Sequence, residues 1–211
     1  MNAVDMDKSS QGLGRGLYFA FTVVVMAIGW MIAAGNTGIS YLSLSTDLDP
    51  IITGVVGCLL FITLVRVLHH AWWLAVLSAF PALLILIGSV QYPREAAMES
   101  RGVRTHVTVT ADRAAGTGSN AHRFTLEGPD GPLEETLDYD GTDPNWRVGD
   151  QLVVVGDPEE TVSLMAAPEV DPSRELSMLG VGVAGWTAIT LLAGLRGYIR
   201  RREGRSVLVK D

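Results

Sequence analysis

The sequence predicts a membrane α-helical chain of four transmembrane helices that carries a small all-β extracytoplasmic domain of about five antiparallel, barrel-like strands. Three observations lead there. Four stretches, residues 17–34, 51–68, 71–90 and 177–195, match the length a helix needs to cross ~30 Å of hydrocarbon and are almost free of charge. Between the third and fourth lies a polar block whose short runs alternate and are punctuated by Gly, Pro, Asn and Asp. The charges divide the same way, with basic residues in the tails and acids in the block.

The first apolar run follows Arg15 and ends in "AAG", as a secretory signal would. At roughly 18 residues it exceeds the usual h-region of about 7 to 15, so it is expected to stay as an anchor. Residues 1–90 then form an N-terminal membrane region, 91–176 an extracytoplasmic β domain, and 177–211 a fourth span followed by a basic cytoplasmic tail. Orientation comes from the basic residues. Lys8 and Arg15, Arg66 in the link, and Arg196, Arg200, Arg201, Arg202, Arg205 and Lys210 face four acids, while the loop "GNTGISYLSLSTDLDP" has no basic residue. The positive-inside rule therefore puts both termini in the cytoplasm, with the loop and the polar block outside a cell membrane. Arg196, Arg200, Arg201 and Arg202 are expected to anchor the last span.

The polar block carries seven Arg against seventeen Asp and Glu, a local balance of −10. Nucleic acid is excluded as a partner, since phosphate binding needs a basic face. One cysteine, Cys58, rules out an intrachain disulfide and a cysteine metal site. Lys occurs only at 8 and 210 beside many Arg, which points to a GC-rich bacterial source.

Five strands are expected in the block. "VRTHVTVT" (103–110) places Val103, Thr105, Val107 and Val109 on one face; "HRFTLEG" follows "AAGTGSN", "LEETLDY" follows "GPDGP", and "TVSLMA" closes the set. The remaining strand, 147–155, lies between Gly149-Asp150 and Gly156-Asp157-Pro158, and its "LVVV" lacks alternation, so both faces should be covered.

This order of strands ending in "VGDQLVVVGDPEE" resembles the small extracytoplasmic β domain of the DUF3592 family of bacterial membrane proteins. There a similar "VGD-x-V-x-V-x-x-DPE" passage follows a strand rich in Arg and aromatics. The resemblance spans about residues 100–166 and implies a β domain held by membrane helices. It carries no catalytic residues or cofactor.

Among candidate chemical groups, His106 and His122 fall on what should be neighbouring strands, where cross-strand partners about 5 Å apart would share a metal, yet zinc needs three or four ligands. Asp138, Asp140 and Asp143 in "DYDGTDPN" crowd oxygen ligands as a weak Ca²⁺ loop does, against the simpler reading of an acidic turn. Glu134 and Glu135, like Glu159 and Glu160, are strand neighbours on opposite faces and make no acid–base pair. No catalytic motif is present. His69 and His70, with Arg66, Trp72 and Trp73, read as interface anchors, or as a proton-sensing pair. Gly180, Ala184 and Ala188 in the last span, and Gly29 and Ala33 in the first, form small-residue ridges expected to pack helices within the chain, with a homo-oligomer face as the alternative. The function expected is non-enzymatic: a multi-pass protein, embedded in the bilayer, presenting an acidic domain that binds a protein or envelope component in an accessory or immunity-type role. A transporter or channel subunit, and an envelope hydrolase using His106 or His122, are the alternatives.

Overall fold

The computed structural model describes residues 3–69, 72–114, 120–140 and 146–202. They fall into two compact units, one of Met1–Ser43, Asp47–Gln91 and Arg174–Asp211, the other of Leu44–Thr46 and Tyr92–Ser173. The described residues form five α-helices: α1 Ala3–Leu42, α2 Leu48–His69, α3 Trp72–Leu77, α4 Ala79–Arg101 and α5 Pro172–Arg202. Six strands accompany them: β1 Val103–Asp112, β2 Ala121–Gly128, β3 Gly131–Pro132, β4 Leu137–Asp140, β5 Gln151–Gly156 and β6 Met165–Ala166.

Among the described residues four stretches are long and apolar enough to cross a membrane, Phe19–Leu42, Leu48–Arg66, Trp73–Arg101 and Ala167–Ile199. The first runs past the expected end at 34, because the hydroxyls of Thr37 and Ser40 donate back to the carbonyls of Ala33 and Asn36 and so need no water. The third is broken at Ser78. Pro81 has no N–H to offer the carbonyl one turn back, and α3 gives way to α4 there. The indole N–H of Trp186 donates to the Ser78 carbonyl at 3.2 Å.

Small residues set the packing of α4 on α5. A Cβ at Gly88 would meet the backbone of Glu175 and Leu179, one at Gly182 the backbone of Pro81 and Ile85, and one at Gly185 the Pro81 ring. The rising numbers on α5 against falling numbers on α4 define an antiparallel pair. At the centre Trp186 stacks on Phe61, centroids 3.8 Å apart and planes at 16°, and a Cβ at Gly29 would strike Phe61. Gly29 and Ala33 thus pack inward as expected. Gly180, Ala184 and Ala188 do not: all three are exposed, and nothing lies within 4 Å of a Cβ at Gly180. "GVGVAGWTA" offers small residues on two faces, and the bulk of Trp186 turns the Gly182 face inward instead.

The β unit is built on one antiparallel sheet ordered β3-β2-β1-β5-β6, with β4 pairing β2 beyond β3. It has six strands and is not closed, where about five in a barrel-like arrangement were expected. The "LEETLDY" run shortens to β4 because Glu135 turns aside to accept the Leu164 N–H at 2.8 Å. "TVSLMA" shortens to β6. Val107, Val109, Phe124, Leu126, Leu137 and Val154 fill one face. Val103, expected on that face, is exposed. On the other face Val155 packs with Ala97 and Met98 of α4 and with Val162. The unbroken valine run is explained by that double covering, and it falls on Val154 and Val155, each 1% exposed, while Val153 is half-buried.

Two expectations follow. Val154→Asp and Val155→Asp should each destabilise the β unit by about 3 kcal/mol or more, and Gln151→Asp, at an exposed position, by less than ~0.5 kcal/mol. Chemical denaturation of a 92–173 fragment, which should give a β-type circular dichroism spectrum, measures this; equal tolerance at all three sites would refute the double covering. In the helical unit, Gly182→Val should cost about 1–3 kcal/mol by overpacking backbone, and Gly180→Val nearly nothing. Melting of the two detergent-solubilised variants separates the faces.

Candidate functional site

The densest polar constellation is the Asp157 carboxylate, at the end of β5. Its side chain is wholly shut from solvent. Oδ1 accepts from the Arg101 Nε at 2.9 Å and the Glu159 N–H at 3.1 Å. Oδ2 accepts from Arg101 Nη2 at 2.9 Å, the Thr161 N–H at 3.0 Å, the Thr161 hydroxyl at 2.6 Å and the Val162 N–H at 3.1 Å. Arg101 also donates to the Thr161 hydroxyl and pairs with Glu159 at 2.5 Å. Local sequence dictates the form. Gly156 ends the strand, Pro158 presets the turn, the Glu160 N–H returns to the Asp157 carbonyl at 3.0 Å, and Glu160 takes a left-handed φ of 53°. Burial alone would push this carboxyl up, but the hydrogen bonds from Thr161, Arg101 and the amides of Glu159 and Thr161 outweigh it and hold it far below the usual carboxylate range. Six donors around an ionised acid make a clamp with no valence left for substrate.

A second constellation sits at the edge of the sheet core. A bulge between Val109 and Ala111 shifts the alternation of β1, so Asp112 pairs with Phe124 and takes the face of Val107 and Val109. There its Oδ2 lies 2.7 Å from Nδ1 of His122, with both side chains nearly buried, and its Oδ1 accepts the Ala114 N–H at 2.9 Å. Burial raises the Asp112 carboxyl, and the bonds from His122 and Ala114 more than reverse this, leaving it below its ordinary value. His122 lies parallel to Phe124 at 5.8 Å, and Trp146 meets Phe124 and Tyr139 edge-on at 6.0 Å. A carboxylate that fixes one ring nitrogen of a histidine is an arrangement used to orient a base or a ligand.

The structure does not bring His106 to His122. His106 pairs with Val153 on β5 and His122 with Tyr139 on β4, because β1 meets β2 only from Thr108 onward. No group of three or more His, Cys, Asp or Glu able to hold a metal occurs among the described residues. Of the proposed Ca²⁺ ligands, Asp138 is bound to Arg123 Nε at 3.0 Å, Asp140 ends β4, and Asp143 lies outside the described residues. The side chains of His69, Trp72, Arg200, Arg201 and Arg202, and all of His70, also lie outside them. Glu134 and Glu160 are exposed.

Three features escaped sequence reasoning. Asn36 is buried inside the first apolar helix; its Nδ2 donates to Ser89 Oγ at 2.7 Å and its Oδ1 accepts from Thr53 at 2.8 Å, joining α1, α2 and α4. A Cβ at Gly54 would fall 2.8 Å from that amide, so the glycine makes room for it. Glu175 is 4% exposed on the fourth apolar stretch, which begins earlier than expected, and its Oε2 has no hydrogen-bond partner. The Asp112–His122 pair depends on a bulge, which strict alternation cannot foresee.

Comparison with family models, curated proteins and solved structures finds no match for this chain.

Asp157→Asn should destabilise the β unit by about 3 kcal/mol, because both oxygens receive only donors and either orientation of the amide sets NH₂ against N–H. The wild-type carboxyl has a lower pKa folded than unfolded. Its contribution is therefore whole above the unfolded value of about 3.9 and is lost as pH falls from there through the folded value. Unfolding curves of the 92–173 fragment at successive pH values should be flatter in acid for the Asn variant; curves that fall in parallel would remove Asp157 as the cause.

Proposed function

We propose that this chain is a multi-pass membrane protein with both termini in the cytoplasm, presenting its acidic β unit outside the membrane to bind a protein or envelope component, in an accessory or immunity-type role without catalysis. The observation that carries the reading is the use to which the β unit puts its chemical groups. Asp157, Asp112 and Glu135 accept protein hydrogen bonds, and Asp150 caps the Arg147 N–H at 2.8 Å in the turn before β5. Such groups build a scaffold. What remains for a partner is surface: Glu99, Glu127, Asp130, Glu134 and Glu160 are exposed. The likeness to the DUF3592 family supports the same arrangement, and the basic residues near the ends of the apolar helices support the orientation.

A transporter or channel subunit draws on one specific observation, the polar node of Asn36, Thr53 and Ser89 with the buried Glu175 on another part of the bundle. The node's bonds are internal, which suits helix pairing better than a path. A hydrolase would use the Asp112–His122 pair, and it lacks a hydroxyl or thiol nucleophile hydrogen-bonded to that ring among the described residues.

With Cys58 replaced by Ala, a cysteine at Thr136 should react with an impermeant thiol reagent in intact cells, and one at Ser206 should react only after lysis. The reverse pattern would overturn the orientation. Crosslinking of the full chain in native membranes from the exposed acidic surface should capture one stoichiometric species, whereas ion or solute flux through reconstituted vesicles with no such species would favour the transporter reading.

A further inference from the structure

The helical unit holds one guanidinium in an unusual state. Arg196, near the end of the fourth apolar stretch, lies over the ring of Trp73 with its central carbon 5.7 Å from the centroid. Its Nε is shut from solvent and has no hydrogen-bond partner. Among the described residues no carboxylate pairs with it. The side chain is half-buried, and Trp73 beside it is 44% exposed. An arginine that simply reached into water would not strand a donor in this way, since a guanidinium stays charged and each of its five N–H groups needs an acceptor or a water molecule. Next to an apolar bundle, such an uncompensated cation is costly unless an anion comes from outside the chain.

The geometry points to Arg196 and Trp73 as a binding site for the phosphate of one phospholipid headgroup, with the guanidinium donating to the phosphate oxygens while the indole holds its plane. The place suits that ligand. Trp73 opens the third apolar stretch and Arg196 falls close to the close of the fourth, so both occupy the level where headgroups lie. Leu74 and Ala193, one turn or less further into the bundle, are buried, so an acyl chain runs along its outside and not into it. Phosphate is common to both leaflets, so the site does not depend on which end of the bundle faces the cytoplasm. It does rest on the membrane reading of the four helices.

The test uses the full chain in a mild non-ionic detergent, titrated with phosphatidylglycerol or phosphatidylcholine of the same acyl chains, bound lipid being counted by native mass spectrometry. Wild type should keep one phospholipid that Arg196→Gln retains about fivefold less well, with Arg196→Lys between them because it keeps charge and loses the planar fork. Phosphatidylcholine held as well as phosphatidylglycerol would support recognition of the phosphate itself; a preference for phosphatidylglycerol would support phosphate recognition aided by net charge. Equal retention by wild type and Arg196→Gln overturns the proposal, as does displacement of the lipid by an equal concentration of inorganic phosphate. Should Arg196→Gln fail to fold, Trp73→Leu leaves the cation in place and should still weaken retention severalfold; full retention by that variant overturns the site. Carbonate extraction of cell membranes separates the two premises: release of the chain would sink the membrane reading, whereas a chain that stays in the pellet with no difference among the variants sinks only the lipid site.

Discussion

The β unit depends on one carboxylate that water never reaches. Asp157 is ionised because six hydrogen bonds, two of them from the Arg101 guanidinium, replace its hydration, and each of those donors belongs to a segment that must therefore be in place. Arg101 is the last residue of α4; Glu159, Thr161 and Val162 lie on the loop that leads from β5 toward β6. The acid thus sets the length of β5, the path of the following loop and the seat of a helix end at once. Around it the apolar contacts of Val155 and Val162 with Ala97 and Met98 complete the joint. Breaking the pair from either side leaves a buried charge, so the cost is steeper than the worth of any one bond. In the same "VGDQLVVVGDPEE" passage Asp150 also does structural work, capping a turn at Gly149 with its φ of 97°.

The helical unit solves a related problem with neutral groups. In an apolar surrounding a polar atom left without a partner is costly, and several here are answered across helices: Asn36 by Ser89 and Thr53, the Trp186 indole by the carbonyl of Ser78 near the Pro81 break. Such bonds fix the register in which α1, α2, α4 and α5 meet, while glycines at 29, 54, 182 and 185 let them approach. The Phe61–Trp186 stack adds its dispersion within a core that also holds Val25, Val65, Leu74 and Ile85.

Much of this was legible in the sequence. The four apolar helices followed from length and charge, and the strands near Val103, His122 and Leu152 from alternation and turn residues, because those signals are local. The valine run announced a strand covered on both faces, and only which residues met which face required the fold. What was not legible depends on partners distant in sequence. Gly180, Ala184 and Ala188 have the spacing of a packing ridge, yet Gly182 and Gly185 serve, since the choice is made by Trp186 meeting Phe61 more than a hundred residues away. Asn36 looked like the start of a loop because nothing nearby signals that Ser89 and Thr53 will receive its amide. His122 looked like the cross-strand neighbour of His106, and a one-residue bulge together with a late start of the β1–β2 ladder gave it Asp112 instead.

These placements also decide what the charge of the polar block means. A balance of −10 read from composition suggests a strong external field, but the acids are not equivalent. Asp157 is neutralised by Arg101, Asp112 is spent on His122 and a backbone amide, and Asp138 is matched by Arg123. The field at the surface comes from the other exposed acids, among them Glu99, Glu127, Asp130 and Glu134. Exposed charges of that kind are screened as salt rises, while the buried acids, screened little, keep the scaffold intact under the same conditions. The acids of this unit thus divide into those that hold protein partners, whether buried as Asp157 is or exposed as Asp150 is, and those left at the surface.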